Sequence, residues 1–386
     1  MEQQRKELPP RRDVPRLKAM EMERIEFDFR RCRRRRRSVR IYFATCALTV
    51  ALAILVLVCL NGREISPSRE QNAGLQRLEG FLLPDADDYS IPTWSPTNPS
   101  KPNSPTLTLE QLYQFDYSAV PNGAVPILPM DLSLTEYGDS YIHNLTGLNP
   151  DTEALLTQSF QKDQQPEYLS VSQGPVVLIV HTHGTEAYYP DGAISYIDDG
   201  SEMARSSDWE ENVVAVGKVL SDSLNRAGIS TLHCTVLHDE IQYKDSYARA
   251  EKTIRQYLEQ YPSIRLVIDV HRDSILKSTG EMVRPVSLID GEAAAQVMCV
   301  VGSSWGGDEN PNWEGNLALA LQLRQRLNQT YENICRPPYL KSSTYNQELA
   351  PYSLLLEVGA SGNSLAEAKR SANAIAKILA ELIPNL

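Results

Sequence analysis

The chain has 386 residues, of which 42 % are hydrophobic and 23 % are charged. Such a composition is that of a globular protein and excludes a wholly disordered, collagen-like or polytopic membrane protein. The net charge of −11 is unevenly divided, because residues 1–40 carry 15 Lys and Arg against 7 Asp and Glu. The remaining 346 residues are therefore strongly acidic.

An uncharged stretch of 20 residues, Ile41–Leu60, separates the basic and acidic parts. This length spans the hydrocarbon core of a bilayer as a helix. A run of arginines directly precedes it, and such basic flanks stay on the cytoplasmic side. We therefore predict a basic cytoplasmic segment (1–40), a single transmembrane helix (41–60) and an extracytoplasmic remainder. The position of the arginines against the membrane disfavours nucleic-acid binding, their alternative role.

Residues 61–170 are predicted to form a Pro-rich spacer and lead-in. Five prolines fall between Pro92 and Pro105, so this part of the backbone is expected to be extended or disordered. Some apolar residues between Leu107 and Phe160 indicate a small structured lead-in to the C-terminal part of the chain.

Residues 171–386 show short apolar runs alternating with amphipathic helical patterns. This alternation is typical of one α/β domain with a mostly parallel sheet flanked by helices. The predicted strands are 176–180, 231–236, 266–270, 297–301 and 353–356. Helical periodicity predicts a helix that ends before Gly228, a second around residue 250, a third over 317–327, and a last helix that Ser364 and Glu367 begin as a capping box.

Chemically active side chains directly follow three of the predicted strands. His181 and His183 follow the first, His271 follows the third, and Glu357 follows the last. Because functional side chains gather at the carboxyl ends of strands in such sheets, we expect these four to converge. Imidazole nitrogens and carboxylate oxygens bind Zn²⁺ in hydrolytic sites, and a further carboxylate serves as general base. The pattern predicts a zinc hydrolase.

The residues alone leave the ligand set open. Asp208, Glu210 and Glu211 begin the first long helix, and Asp208 is equally well explained as a metal ligand or as a helix cap. Of His181 and His183, one is expected to bind the metal and the other to support it. The other histidines (His143, His233 and His238) are expected to have incidental surface or loop roles.

Five stretches together resemble the stage II sporulation protein P family: VLIVHTHGTEAYYP, EENVVAVGKVL, VIDVHRDS, YNQ at Tyr345–Gln347, and LLLEVGASGN. The resemblance implies a zinc-dependent N-acetylmuramoyl-L-alanine amidase fold and peptidoglycan degradation at the septum during engulfment of the forespore. The family is also associated with cleavage of peptide cross-links, an endopeptidase activity. Its implied partners are stage II sporulation proteins D and M, and its implied location is the cell membrane.

The resemblance also assigns roles to residues. It implies zinc ligation by His183, Asp208 and His271, and catalysis by Glu357. The wider amidases carry Glu where this chain has Asp208, so Glu210 and Glu211 remain alternatives, as does His181. Residues assigned to substrate binding are Arg272, Tyr345, Asn346 and, from its Gly/Asn-rich stretch, Trp305. Two other functions stay open: another zinc envelope carboxypeptidase, and a non-catalytic anchored scaffold for wall enzymes.

Overall fold

The computed structural model describes residues 107–159, 174–197 and 204–386, which all belong to one compact unit. The predicted basic segment, the predicted membrane helix Ile41–Leu60 and the five clustered prolines lie outside the described residues. Within the described ranges, none of the helices has the length and apolar character that crossing a membrane requires.

Along the described chain, successive α-helices are separated by one to four strands. The helices are α1 (Leu109–Leu112), α2 (Thr152–Thr157), α3 (Val213–Arg226), α4 (Ser246–Gln260), α5 (Trp313–Thr330) and α6 (Leu365–Leu382). The strands are β1 (Val125–Met130), β2 (His143–Asn144), β3 (Val177–Val180), β4 (Ser195–Tyr196), β5 (Thr231–His233), β6 (Leu266–Asp273), β7 (Met282–Ile289), β8 (Glu292–Ala295), β9 (Val297–Gly302), β10 (Tyr339–Lys341) and β11 (Tyr352–Ala360). The predicted α/β class is therefore confirmed.

The larger sheet has the strand order β2-β10-β9-β11-β6-β3-β5 and contains all five predicted strands. Its neighbours run parallel except for β9 and β11, which are antiparallel. Because successive side chains of a strand point in opposite directions, the sheet has two distinct faces. The back face packs on α3, α5 and α6 in the main core, through residues such as Ile268 and Leu356. The front face carries Asp269, His271 and Glu357, and a separate small cluster of Met298, Val300 and Leu355.

A second sheet, with the order β4-β1-β7-β8, was not predicted. Its strand β1 and the edge strand β2 of the larger sheet both come from the predicted spacer and lead-in. The fully buried Arg324 of α5 fixes this segment by donating hydrogen bonds to the carbonyl oxygens of Ser133, Gly138 and Asp139. The predicted domain boundary at residue 171 is therefore wrong, because residues 107–159 pair with and pack on the same sheets.

Helix capping places the loops around the site. Asn212 caps α3 by accepting a hydrogen bond from the N–H of Val214. The predicted capping box of Ser364 and Glu367 at the start of α6 is confirmed. Glu367 also forms a buried ion pair with Arg284 of β7, which ties the smaller sheet to α6.

Candidate metal site

Three buried side chains, His183, Glu186 and His271, bring ligand atoms within 4.8 Å of one another. His183 and Glu186 lie in the loop that follows β3, and His271 lies near the end of β6. Nδ1 of His183 is 3.7 Å from Oε1 of Glu186, and Nδ1 of His271 is 3.4 Å from Oε2 of the same carboxylate. In the part of the chain that the structure describes, this is the group whose geometry could hold a metal ion.

Glu186, rather than the predicted Asp208, accompanies the two histidines. Asp208, Glu210 and Glu211 are all exposed and belong to a surface loop before α3. Asp208 accepts a hydrogen bond from the N–H of Glu210, as a local turn residue does, and Glu211 accepts one from the hydroxyl of Ser206. The expected third ligand is thus corrected, because the loop turns these carboxylates to solvent while the chain after His183 folds back over β6.

His181 faces the core and not the candidate ligands. Its Nδ1–H donates to the carbonyl oxygen of Val270, and its Nε2 lies 2.9 Å from Nε2 of His233. A Cβ on Gly217 of α3 would lie only 2.5 Å from the His181 ring, so glycine is required for the helix to approach this closely. The predicted role of His181 as a ligand or as a direct support of one therefore does not fit its position.

Two other histidines lie near His181: His238 is buried and His233 is half-buried. Nδ1–H of His238 donates to the carbonyl oxygen of His181, and its Nε2 accepts from the hydroxyl of Thr253. The expectation of incidental surface or loop roles for His233 and His238 is wrong, because His238 holds the backbone of His181 and His233 contacts the His181 ring.

Asp269 is a residue of the site that the sequence did not reveal. Its Oδ1 lies 3.0 Å from Nε2 of His271, on the opposite side of the ring from Glu186. Its two carboxylate oxygens accept hydrogen bonds from the N–H and hydroxyl of Thr182. A carboxylate this close to the ring favours a positive charge on His271 and would orient the ring in a metal site.

The electrostatics of the group suit metal binding. Burial and the nearby His271 lower the pKa of His183 to about 4, which leaves a neutral imidazole. Burial alone would raise the pKa of Glu186, but the hydrogen bond from His271 and the charge of Arg272 lower it to about 2. Burial opposes protonation of His271, yet Asp269 and Glu186 raise its pKa well above the usual range. His271 therefore carries a positive charge between the carboxylates of Asp269 and Glu186, in surroundings that favour a cation.

Glu357 lies beside this group on β11, directly opposite His271 in the strand register. Burial and the charge of Asp273 raise its pKa to about 8. Its Oε2 is buried and, among the described residues, has no hydrogen-bond partner. The side chain can therefore take up and release a proton near neutral pH, as a general base and acid must.

The residues predicted to bind substrate have different positions. Arg272 is buried, and its guanidinium donates to the carbonyl oxygens of Ala187 and Ala204, so it holds the Glu186 loop. Trp305 is exposed but follows β9, which runs antiparallel to β11, and so lies at the opposite edge of the sheet from Glu357. The structure therefore does not bring Arg272 or Trp305 to the site surface.

Tyr345, by contrast, lies on the front face beside the site. Tyr345 and Asn346 both have left-handed backbone angles, with φ of 57° and 61°, in a tight turn closed by the N–H of Gln347 on Thr344. The Gln347 side chain anchors this turn to β9 through Gly302 N–H and Val300 O. Asn346 donates to the backbone oxygen of Tyr247, so its role in the structure is to hold the turn that presents Tyr345.

Aromatic rings enclose His183. Tyr243 stacks on it at 4.3 Å between ring centroids, and Tyr247 meets it edge-on at 5.4 Å. Beyond the exposed Tyr243 lies a cleft of about 310 Å³ with a polar lining. The lining residues are Thr185, Arg205, Ser206, Ser207, Asp239, Glu240, Gln242 and Tyr243.

Two signals in the sequence could have pointed to the missed residues. Asp269 stands two positions before His271 in a strand, which places both side chains on one face. Glu186 follows His183 by three residues in a stretch where polar side chains directly succeed a buried strand. Both are residue types that metal sites use, but only the fold of the loop shows that they meet.

Residues 140–380 match the model of the family described as Stage II sporulation protein P. The chain is 30 % identical over 243 residues to Stage II sporulation protein P of Bacillus subtilis (strain 168), covering 60 % of this chain and 57 % of that protein. It therefore spans little more than half the length of this curated relative.

Two solved structures that the chain resembles are amidases. They are N-acetylmuramoyl-L-alanine amidase AmiC2 of Nostoc punctiforme, at 14 % identity with a TM-score of 0.32, and the apo form of N-acetylmuramyl-L-alanine amidase Ami1 from Mycobacterium abscessus, at 14 % with a TM-score of 0.31. Each covers 55 % of this chain and 98 % of its own. The family match covers more than half of the sequence and includes the site residues, so the chain belongs to the stage II sporulation protein P family.

Proposed function

We propose that this chain is a zinc-dependent N-acetylmuramoyl-L-alanine amidase that cleaves peptidoglycan during sporulation. The observation that supports this most is the group of His183, Glu186 and His271 with the protonatable Glu357 beside it. Two histidines and one carboxylate are the ligands of many catalytic zinc sites. When bound, Zn²⁺ would supply a water of lowered pKa and polarise the amide carbonyl.

The protein side chains would orient the two histidines and transfer the proton. Asp269 would hold the His271 ring in its binding orientation, and Tyr243 and Tyr247 would hold His183 and keep water away from its faces. Oε2 of Glu357 would accept the proton from the attacking water and then deliver it to the departing nitrogen of L-alanine. Its raised pKa suits both halves of this transfer, because a group with a pKa near the working pH both accepts and donates readily.

The cellular setting is part of the same proposal. The helix predicted at Ile41–Leu60 would anchor the chain in the cell membrane with the domain outside, facing the wall. Stage II sporulation proteins D and M are the partners that family membership suggests.

The test uses the purified full chain with intact sacculi as substrate. We expect about one bound zinc per chain, and mass spectrometry should find whole stem peptides released with a free L-alanine amino group. The Glu357→Gln variant should keep its zinc and lose activity by about 100-fold or more. Retention of full activity by Glu357→Gln would refute the assigned mechanism.

Product analysis separates the other functions. Release of single D-alanine residues would indicate a carboxypeptidase, and loss of cross-linked dimers without stem release would indicate an endopeptidase. A zinc-free, inactive chain that still binds sacculi would indicate a scaffold.

A further inference from the structure

The front face of the larger sheet carries a band of aromatic rings that starts at the metal site. Tyr247, which contacts His183, also meets Tyr345 edge-on, with 5.6 Å between ring centroids. Tyr345 and Tyr339 both pack on the small cluster of Met298, Val300 and Leu355. The aromatic residues therefore extend from the site, by way of this apolar cluster on β11 and β9, to β10.

The row continues to the edge of the sheet. The rings of Tyr339 and His143 lie 4.6 Å apart on the paired strands β10 and β2. Tyr141 meets His143 at 5.3 Å, and Tyr137 stacks on Tyr141 at 4.9 Å. We call Tyr345, Tyr339, His143, Tyr141 and Tyr137 the aromatic band.

The band is fixed in place and uncharged at neutral pH. All five of its residues are half-buried, so packing anchors each residue while part of it stays open to solvent, and the Lys341 ammonium lies over the Tyr339 ring, 4.9 Å from its centroid. Burial and the charges of Arg336, Arg324 and Lys341 lower the pKa of His143 to about 4, which keeps its ring neutral. The large helices α3, α5 and α6 pack on the back face of the sheet, opposite the front cluster on which Tyr345 and Tyr339 pack.

Two chemically different surfaces flank the site. Tyr243, which stacks on His183, lines the polar cleft with Arg205 and Asp239, and Tyr247, which meets His183 edge-on, contacts Tyr345 of the aromatic band. The amide of the proposed substrate also joins two different parts, a sugar and a peptide. Polar groups suit the many hydrogen bonds of a peptide, whereas flat rings suit the C–H faces of sugars, against which they stack.

We propose that the aromatic band binds the glycan strand of peptidoglycan, while the stem peptide occupies the polar cleft. This inference rests on the proposed function, because it takes peptidoglycan as the substrate. It goes further by assigning a direction to the bound polymer and by naming residues outside the candidate metal ligands as determinants of its recognition.

The test measures glycan binding separately from catalysis. The full chain carrying Glu357→Gln is titrated, with chelator present, with peptide-free glycan strands and, in parallel, with free stem peptide. We expect Tyr339→Ala and Tyr141→Ala each to weaken glycan binding about fivefold to tenfold, and Tyr141→Phe to bind like the parent. Stem-peptide binding should not change in any of them. Tyr117→Ala, which removes an exposed ring outside the band, is the matched control.

Each outcome bears on one of the two proposals. Equal glycan affinity in the parent and in both alanine variants would overturn the band assignment, even in an active amidase. A band-dependent affinity in a chain that never releases stem peptides would instead overturn the proposed amidase function and leave the glycan site standing. Because Tyr339 packs on the small front cluster, circular dichroism and thermal unfolding are used to check that each variant is folded. If Tyr339→Ala does not fold, Tyr141→Ala decides the test, because Tyr141 lies away from that cluster.

Discussion

The sharpest prediction concerns the identity of the acidic metal ligand. Glu186 lies within 3.7 Å of both histidines, whereas Asp208 is exposed on a surface loop. The Glu186→Gln substitution removes the negative charge but keeps the size of the side chain. Its amide oxygen can still accept the hydrogen bond that Glu186 takes from the N–H of Arg272, so the loop should keep its fold.

The magnitude follows from the contacts. Loss of a group that only orients a ligand costs about 10-fold to 100-fold in metal affinity. Since Glu186 would touch the ion itself, we expect Glu186→Gln to weaken zinc binding by about 100-fold or more, or about 2.7 kcal/mol. Asp208→Asn, the matched control, should bind zinc within about twofold of the parent, because it changes only an exposed turn.

The assay is competition for zinc against a chromophoric chelator, with metal content after dialysis as a second measurement. Thermal unfolding in chelator checks that Glu186→Gln is folded without metal. Unchanged zinc affinity in Glu186→Gln together with a large loss in Asp208→Asn would refute the geometric assignment and restore the ligand expected from the sequence.

Two further predictions concern stability. Gly217→Ala should lower the free energy of unfolding by about 1–3 kcal/mol, because its Cβ would come within 2.5–2.8 Å of the rings of His181 and His233, a clash that outweighs the helix-forming advantage of alanine. Urea unfolding measures this against the exposed neighbour Lys218→Ala, and a more stable Gly217→Ala would contradict it. His143 has a folded-state pKa of about 4 against 6.5 when unfolded. As the pH falls, the unfolded chain protonates His143 before the folded chain does. The stabilising contribution of the neutral His143 is therefore complete above about pH 6.5 and is lost as the pH falls toward 4. His143→Gln should therefore remove about 2 kcal/mol of the stability difference between pH 7 and pH 4.5, and an unchanged difference would show that His143 is not the titrating group.

Local patterns were enough to predict much of the fold. The five predicted strands all lie in the larger sheet, and the last helix begins at the capping box of Ser364 and Glu367. These features depend on periodicity and on contacts three residues apart, which neighbouring residues encode directly. The smaller sheet escaped prediction because the Pro-containing β1 pairs with β4 and β7, both of which are distant from it in the chain.

The candidate site was predictable only in part. His183 follows β3, and His271 and Glu357 lie in the second half of β6 and β11, so strand position alone brought them to one edge. The choice of acid did not follow from strand position, because Glu186 and Asp208 both lie in loops. Which loop carboxylate reaches the histidines depends on the hydrogen bonds that fold the 182–187 loop over β6, and these involve Asp269, Arg272 and Asp239.

By itself, the sequence determined the α/β class, the core strands and helices, and the convergence of His183, His271 and Glu357. Each of these depends on local periodicity or on the rule that parallel strands end at a common edge. Only the tertiary structure decided that the lead-in joins the domain, that Glu186 accompanies the histidines, and that five distant aromatic residues form one band. Those outcomes depend on which strands pair and on how loops close over them, and such long-range contacts have no local signature in the chain.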